Sequence, residues 1–385
     1  MAEVEYDLVV VGGGVLGTFH AYHAHKAGLK VALLEKDHKP QGATVRNFGQ
    51  VVPSGMNTKW QRYGRKSLRI YKKIQSKLDI SVRQEGSIYL ASDDEEMQLL
   101  EELRQINKDN EYMSILFTKA QCLSRYRGLS PNYVKGGLFF PEEITVEPRV
   151  MIARVQHYLR KKGVHIFYSA QVVECLEMAR GVTVHVADGR SFMAKKVIIC
   201  NGSDFKTLYP TVFKESDLEV SKLQMLLTKP QPNFMLPGSI LTGLSIRRYE
   251  AFAECPSYLA IKNREDDDTP EKKWGVHILF KQTVDGHIIL GDSHEYADAE
   301  RMDDLGFDLN MEIDDLILAK AREIFQLPTY DIAQRWYGLY SQCKSKDIYQ
   351  NTIERNIHIV TGIGGKGMTG SAGFAREHIN QLFNI

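Results

Sequence analysis

Little in the composition defines this chain. Its five cysteines (Cys122, Cys175, Cys200, Cys255 and Cys343) are widely spaced, odd in number and without a CxxC pair. This pattern excludes a disulfide framework and a cysteine-based zinc site, and it fits a reducing, cytoplasmic setting. An excess of one charge is missing as well: 49 Lys and Arg against 48 Asp and Glu leave a net +1. Neither nucleic acid nor an anionic membrane is therefore indicated as a partner. No apolar run is long enough to cross a bilayer, and the start, MAEVEYD, is acidic, so no membrane span and no signal peptide are expected. Low-complexity tracts and internal repeats are also absent. What remains is 385 residues, 43% of them hydrophobic, enough to bury a large core in two domains around a small-molecule site.

The most informative stretch is near the start. Leu8 to Val11 is apolar, breaks into GGGVLG (Gly12, Gly13, Gly14, Val15, Leu16, Gly17), passes through a helical pattern and returns as VALLEK. In strand–turn–helix order Gly12 allows the tight turn, Gly14 lets backbone amides approach a pyrophosphate, and Gly17 lets the helix pack closely on the strand. The helix N-terminus then faces negative charge. Glu35, beside Lys36 at the end of the second strand, is placed to accept hydrogen bonds from ribose hydroxyls. At this point nicotinamide and flavin dinucleotides are equally open.

Further along, the period changes repeatedly, which predicts interleaved domains. Residues 60–78 read as a basic amphipathic helix, Ser87–Ser92 as a strand and 93–108 as a helix. From Val164 the pattern is of paired strands, ending in the unbroken run Val197–Cys200 before Asn201, Gly202 and Ser203. That run suits a central parallel strand that ends beside a nucleotide. Residues 358–371, HIVTGIGGKGMTGS, repeat the first motif: a short strand, then a loop containing Gly362, Gly364, Gly365 and Gly367, then a helix through Phe374–Phe383. Lys366 sits in this loop, where its charge could stabilise an anionic ring edge. Met368 and Thr369 follow it.

Taken together, these segments resemble the FAD-dependent amine and amino-acid oxidases, which include D-amino-acid oxidase, glycine oxidase and monomeric sarcosine oxidase. The resemblance covers essentially the whole chain. It rests on GGGVLG with Glu35, GATVRNFGQ (Gly42–Gln50), Val173, CNGS (Cys200–Ser203), DGHIILGDS (Asp285–Ser293), RWYGLY (Arg335–Tyr340) and GIGGKGMTG (Gly362–Gly370). It implies an α/β fold: a Rossmann-like FAD-binding domain from 1–80, 142–215 and 332–385, with an interleaved, mainly antiparallel β-sheet plus helices forming a substrate domain from 81–141 and 216–331. The implied cofactor is FAD. Thr44, Arg46, Asn47, Phe48, Gly49 and Gln50 supply donors and flexible backbone for a polar ring system, and Gly338 belongs to the same cofactor set.

The implied chemistry is hydride removal from a carbon bearing an amine, after which the imine hydrolyses. Oxygen or another acceptor then reoxidises the flavin. In amino-acid oxidases an arginine just after the tryptophan–x–glycine strand holds the substrate carboxylate. Here Tyr340 and Ser341 stand at that place, so the anionic group needs another anchor. Candidates are Arg46, Gln50, Gln224, His294, Tyr340 and Lys344, together with Arg247, Arg248 and Lys346. Lys281 could assist oxygen as a lysine does in sarcosine oxidases, and Cys343 could carry the flavin covalently. RNFG and GDSHEY (Gly291–Tyr296) resemble a branch associated with aminoethylphosphonate breakdown, and a phosphonate suits dispersed donors. The alternatives are a hydroxy-acid or glycerophosphate-type dehydrogenase, an NAD-dependent enzyme and a non-catalytic flavoprotein.

Overall fold

The computed structural model describes residues 5–385; residues 1–4, the head of the acidic start, lie outside the described residues. Tyr6–Val11, Val31–Leu34, His165–Phe167, Ser191–Ile199 and Ile357–Thr361 pair in parallel within an eight-stranded sheet. At the centre of this sheet Leu8–Val11, Val31–Leu34 and 197–199 are unbroken apolar runs, buried because both faces of the sheet are covered there. Alternation along the first strand divides two cores: Leu8 and Val10 pack with the helices on one face, Val9 and Val11 with the antiparallel strands on the other. Helices Val15–Lys26, Thr58–Gln75 and Gly367–Phe383 cover the first face.

The second sheet has nine strands and is mainly antiparallel, with Leu218–Thr228 pairing along most of its length with Ile332–Cys343. The fold is thus α/β with mixed parallel and antiparallel sheets. Three details differ from the sequence reading. The helix expected over 60–78 starts at Thr58, because the Asn57 side chain accepts from Trp60 N–H, and it ends at Gln75. His165–Phe167 joins Val31–Leu34 in parallel instead of opening a hairpin, because Ser169 turns at φ 49° and breaks the run. Residues 332–343, expected in the FAD-binding unit, lie in the nine-stranded sheet; the chain rejoins the first sheet at Tyr349–Thr352. Among the described residues no helix is long and apolar enough to cross a membrane.

Glu143 ties the turn Pro53–Gly55 to Ser87 on the second sheet. Fully buried, it accepts from Ser54 N–H at 2.8 Å, Ser54 Oγ at 3.0 Å, Tyr112 OH at 2.8 Å and Ser87 Oγ. Burial outweighs these donors and pushes its pKa from 4.5 up to about 7. A raised carboxyl pKa means that the folded state holds a proton the unfolded state has released. Stability is therefore full below about pH 4.5 and falls as pH rises towards 7, by on the order of 3 kcal/mol. Glu143→Gln keeps the shape without the charge. The stability difference between wild type and variant, followed by denaturant unfolding, is expected to shift by that amount between pH 4.5 and 7.5; a pH-independent difference refutes the assignment.

Candidate functional site

The two glycine turns and the second sheet enclose one cavity of about 1110 Å³. Its first end is built by the N-terminal motif. Gly12 takes φ +102°, and a Cβ there would lie 2.2 Å from Cys200 O; a Cβ on Gly17 would lie 2.0 Å from Gly12 O. Strand, turn and helix therefore touch backbone to backbone, and only glycine permits it. Gly13 N–H donates to Glu35 Oε2 at 2.8 Å, and Asp37 N–H to Oε1 at 3.0 Å. Those two bonds fix the carboxylate at the cavity wall with lone pairs to spare. Burial raises its pKa against them. Asn201, Gly202 and Ser203 form the opposite wall, while Lys36 is drawn to Asp204 at 2.7 Å.

The middle of the cavity runs between Gly42–Gln50 and the second glycine loop. Thr44 Oγ1 accepts from Val15 N–H at 2.9 Å at the helix start. Asn47 closes its own loop, donating to Ala43 O and Thr44 O and accepting from Gly49 N–H. Phe48 and Gln50 line the wall. Facing them, Gly364, Gly365, Gly367, Met368 and Thr369 open the helix Gly367–Phe383 towards the cavity. Lys366 does not point freely inward: its Nζ bonds Glu250 at 2.7 Å and approaches Asp347 at 3.4 Å.

At the far end the second sheet contributes a buried polar group. His277 Nε2 lies 2.6 Å from Asp292 Oδ1, and His277 Nδ1 lies 3.0 Å from Ser245 Oγ. His294 Nδ1 meets Gly275 O at 3.1 Å and, since a carbonyl only accepts, must carry the proton. Burial alone would raise the Asp292 pKa, but His277 foremost, with Arg248, outweighs it and holds the carboxyl below its ordinary value. Burial, helped by Arg248 and His277, pulls His294 down to about 3, so its imidazole is neutral. Tyr249 and Tyr340 complete the wall, their hydroxyls kept protonated by burial first and by Asp292 second. Apolar Met56, Leu223 and Leu279 lie beside them.

Several residues singled out from sequence fall elsewhere. Val173 is 44% exposed; pleating turns it outward and places buried Val172 at the wall instead. Gln224 likewise faces away from its neighbour Leu223 and is consumed by Asn310 and Asp314. The Arg46 guanidinium bonds Gln41 O and Tyr337 O, away from the cavity, while its own carbonyl accepts from Trp336 Nε1 and Tyr340 OH. Buried Lys281 pairs with Glu147 at 2.7 Å outside the lining. Gly338 is pressed on the Tyr340 ring and Gly49, at φ +74°, on Val146 O, so both serve packing. Lys344 lies at the rim, exposed and paired with Asp298. Cys343 does reach the wall, its thiol pushed up to about 11 by burial. His277, Asp292 and Tyr249 were not singled out from sequence. The signal was Asp292, which falls within both DGHIILGDS and GDSHEY.

The cavity fits FAD. It is larger than a drug-sized ligand needs. It also joins an acid anchored for ribose, two helix N-termini for phosphate, and orphaned buried polar atoms, Asn201 Oδ1 and Gln50 Nε2, for a polar ligand. The family model described as DAO, FAD dependent oxidoreductase, matches residues 7–380. Glycerol 3-phosphate dehydrogenase of Caloramator mitchellensis is 23% identical over 388 residues, covering 99% of this chain and 74% of that protein. Glycine oxidase of Bacillus licheniformis is 27% identical over 209 residues, covering 51% and 54%, so this chain spans about half of that relative. Among solved structures, L-proline dehydrogenase from P. horikoshii superposes with a TM-score of 0.79 at 17% identity, covering 100% and 94%.

Proposed function

The chain belongs to the DAO family of FAD-dependent oxidoreductases, and from that premise we propose that it oxidises the C–N bond of a small amine carrying an anionic group, such as an aminophosphonate or an N-methyl amino acid. Asp292 carries this reading: a carboxylate only 6% exposed, set in the wall at the cavity's inner end. A buried anion attracts an ammonium group and repels an anionic head. The nitrogen is therefore drawn to Asp292, and the far group turns to the rim, where the exposed Arg248 guanidinium is held by Tyr296 OH at 2.7 Å. Met56, Leu223 and Leu279 exclude water around the carbon between them. FAD, when bound, supplies the two-electron acceptor for the hydride. The chain's own work is to hold the carbon–hydrogen bond in line and to take up the amine proton on the wall.

One observation favours a second reading, oxidation of a hydroxyl. His277, with Ser245 on one nitrogen and Asp292 beside the other, is arranged as a base that could remove an alcohol proton. The relative named glycerol 3-phosphate dehydrogenase spans nearly the whole chain. Anaerobic bleaching of the flavin by a panel of primary and N-methyl amines bearing carboxylate or phosphonate, set against 2-hydroxy acids and glycerol 3-phosphate, separates the two. Amines are expected to bleach it at least tenfold faster. Bleaching by hydroxy compounds alone establishes the second reading, and none from either set overturns both.

A further inference from the structure

We propose that His277, Asp292 and His294 form a three-ligand site for a borderline divalent cation, Zn²⁺ foremost, that competes with the substrate for the inner end of the cavity. One donor atom from each residue lies within 4.8 Å of the others. The imidazole anchors are those of metal ligands. His294 gives its Nδ1 proton to a backbone carbonyl and His277 has Nδ1 against a hydroxyl, which leaves Nε2 of both for an ion. Asp292 adds a second observation. Although His277 Nε2 is 2.6 Å away, buried Asp292 Oδ1 has no aligned hydrogen-bond donor. The two atoms lie side by side at the cavity wall.

A tetrahedral zinc with bonds of about 2.0–2.1 Å separates its ligands by about 3.3 Å. The His277–Asp292 pair must open slightly, and half-buried His294 close in, so small side-chain rotations suffice. Two imidazoles with one carboxylate select zinc or ferrous iron over calcium and magnesium, which prefer all-oxygen shells. The fourth position faces the cavity. The ion would occupy the charge of Asp292 that draws the substrate nitrogen under the amine reading, so the competition rests on that reading whereas the binding does not.

The test uses FAD-loaded protein stripped with a chelator, then titrated with Zn²⁺ and, for its visible spectrum, Co²⁺. One equivalent is expected to bind with an apparent Kd below about 10 µM, with Co²⁺ bands of a low-coordinate site and no response to Ca²⁺ or Mg²⁺. His294→Ala and Asp292→Asn, checked for unchanged flavin content and melting, should each weaken binding about 100-fold, and Ser245→Ala about tenfold. With the best amine from the bleaching panel, Zn²⁺ should raise KM and leave kcat. Failure of the amine reading appears as absence of amine turnover with zinc still bound. No stoichiometric binding, binding that survives both ligand variants, or inhibition that lowers kcat alone overturns the proposal.

Discussion

Gly17→Ala is expected to purify without its flavin. The added methyl would sit 2.0 Å from Gly12 O and 3.2 Å from Val10 Cγ1, where ordinary contact requires about 3.4 Å or more. Neither neighbour can yield. Gly12 is wedged on its other side against Cys200 O, and Val10 belongs to a strand paired on both edges. The helix Val15–Lys26 must therefore move away by more than 1 Å at its N-terminus, taking the amides of Gly14 to Leu16 out of reach of a pyrophosphate. A loss on the order of 3 kcal/mol, or 100-fold in cofactor affinity, follows from overpacking of this kind. Gly14→Ala meets only Thr44 Oγ1, at 3.1 Å, a side-chain atom that needs to give by only a few tenths of an ångström and can do so without losing its bond to Val15 N–H. It should retain flavin, bound a few-fold more weakly. Absorbance at the flavin bands per mole of protein, with far-ultraviolet circular dichroism to verify folding, decides the matter. Equal flavin content in Gly17→Ala and wild type would show that the helix does not rely on this contact.

The cofactor half of the cavity could be read from sequence because its chemistry lies in the backbone. Glycine spacing reports close approach directly, as Gly12 and Gly17 show, and Glu35 follows at the end of the next strand. The substrate half depends on the pairing of strands that are separate in sequence. Leu279 pairs with Gly291, and this register alone brings His277 N–H to Asp292 O and His294 N–H to Trp274 O. An alternating pattern locates a strand but not its partner's register. The errors share that origin. Lys281 lies on the same face as His277 and Leu279, yet two residues past Leu279 places it about 7 Å further along the strand, where Glu147 captures it. Val173 and Gln224 each miss by one residue of pleat. The Arg46 guanidinium is turned from the cavity, and no sequence pattern shows that Gln41 O and Tyr337 O bind it.

Asp292→Asn should lower kcat/KM for the best amine at least 100-fold, about 2.7 kcal/mol of lost transition-state stabilisation, while flavin content stays at the wild-type level. The residue lies at the end of the cavity opposite the Gly12–Glu35 turn, so the nucleotide anchor is untouched. The amide keeps the size of the carboxylate and its contact with His277, and what disappears is the buried negative charge. An ammonium group drawn to that charge loses its partner, and the loss exceeds that of a surface pair because the site excludes water. For a hydroxy acid two effects oppose: removing the wall's negative charge relieves repulsion of an anionic substrate but takes from His277 the carboxylate beside its Nε2, so bleaching by 2-hydroxy acids should fall far less than bleaching by amines in the same variant. The ratio of amine to hydroxy-acid rates, taken anaerobically on wild type and variant, cancels any general damage to the fold. A ratio unchanged by the substitution would show that Asp292 does not choose the substrate by charge, and would leave the His277 base and hydroxyl oxidation as the better account of the cavity.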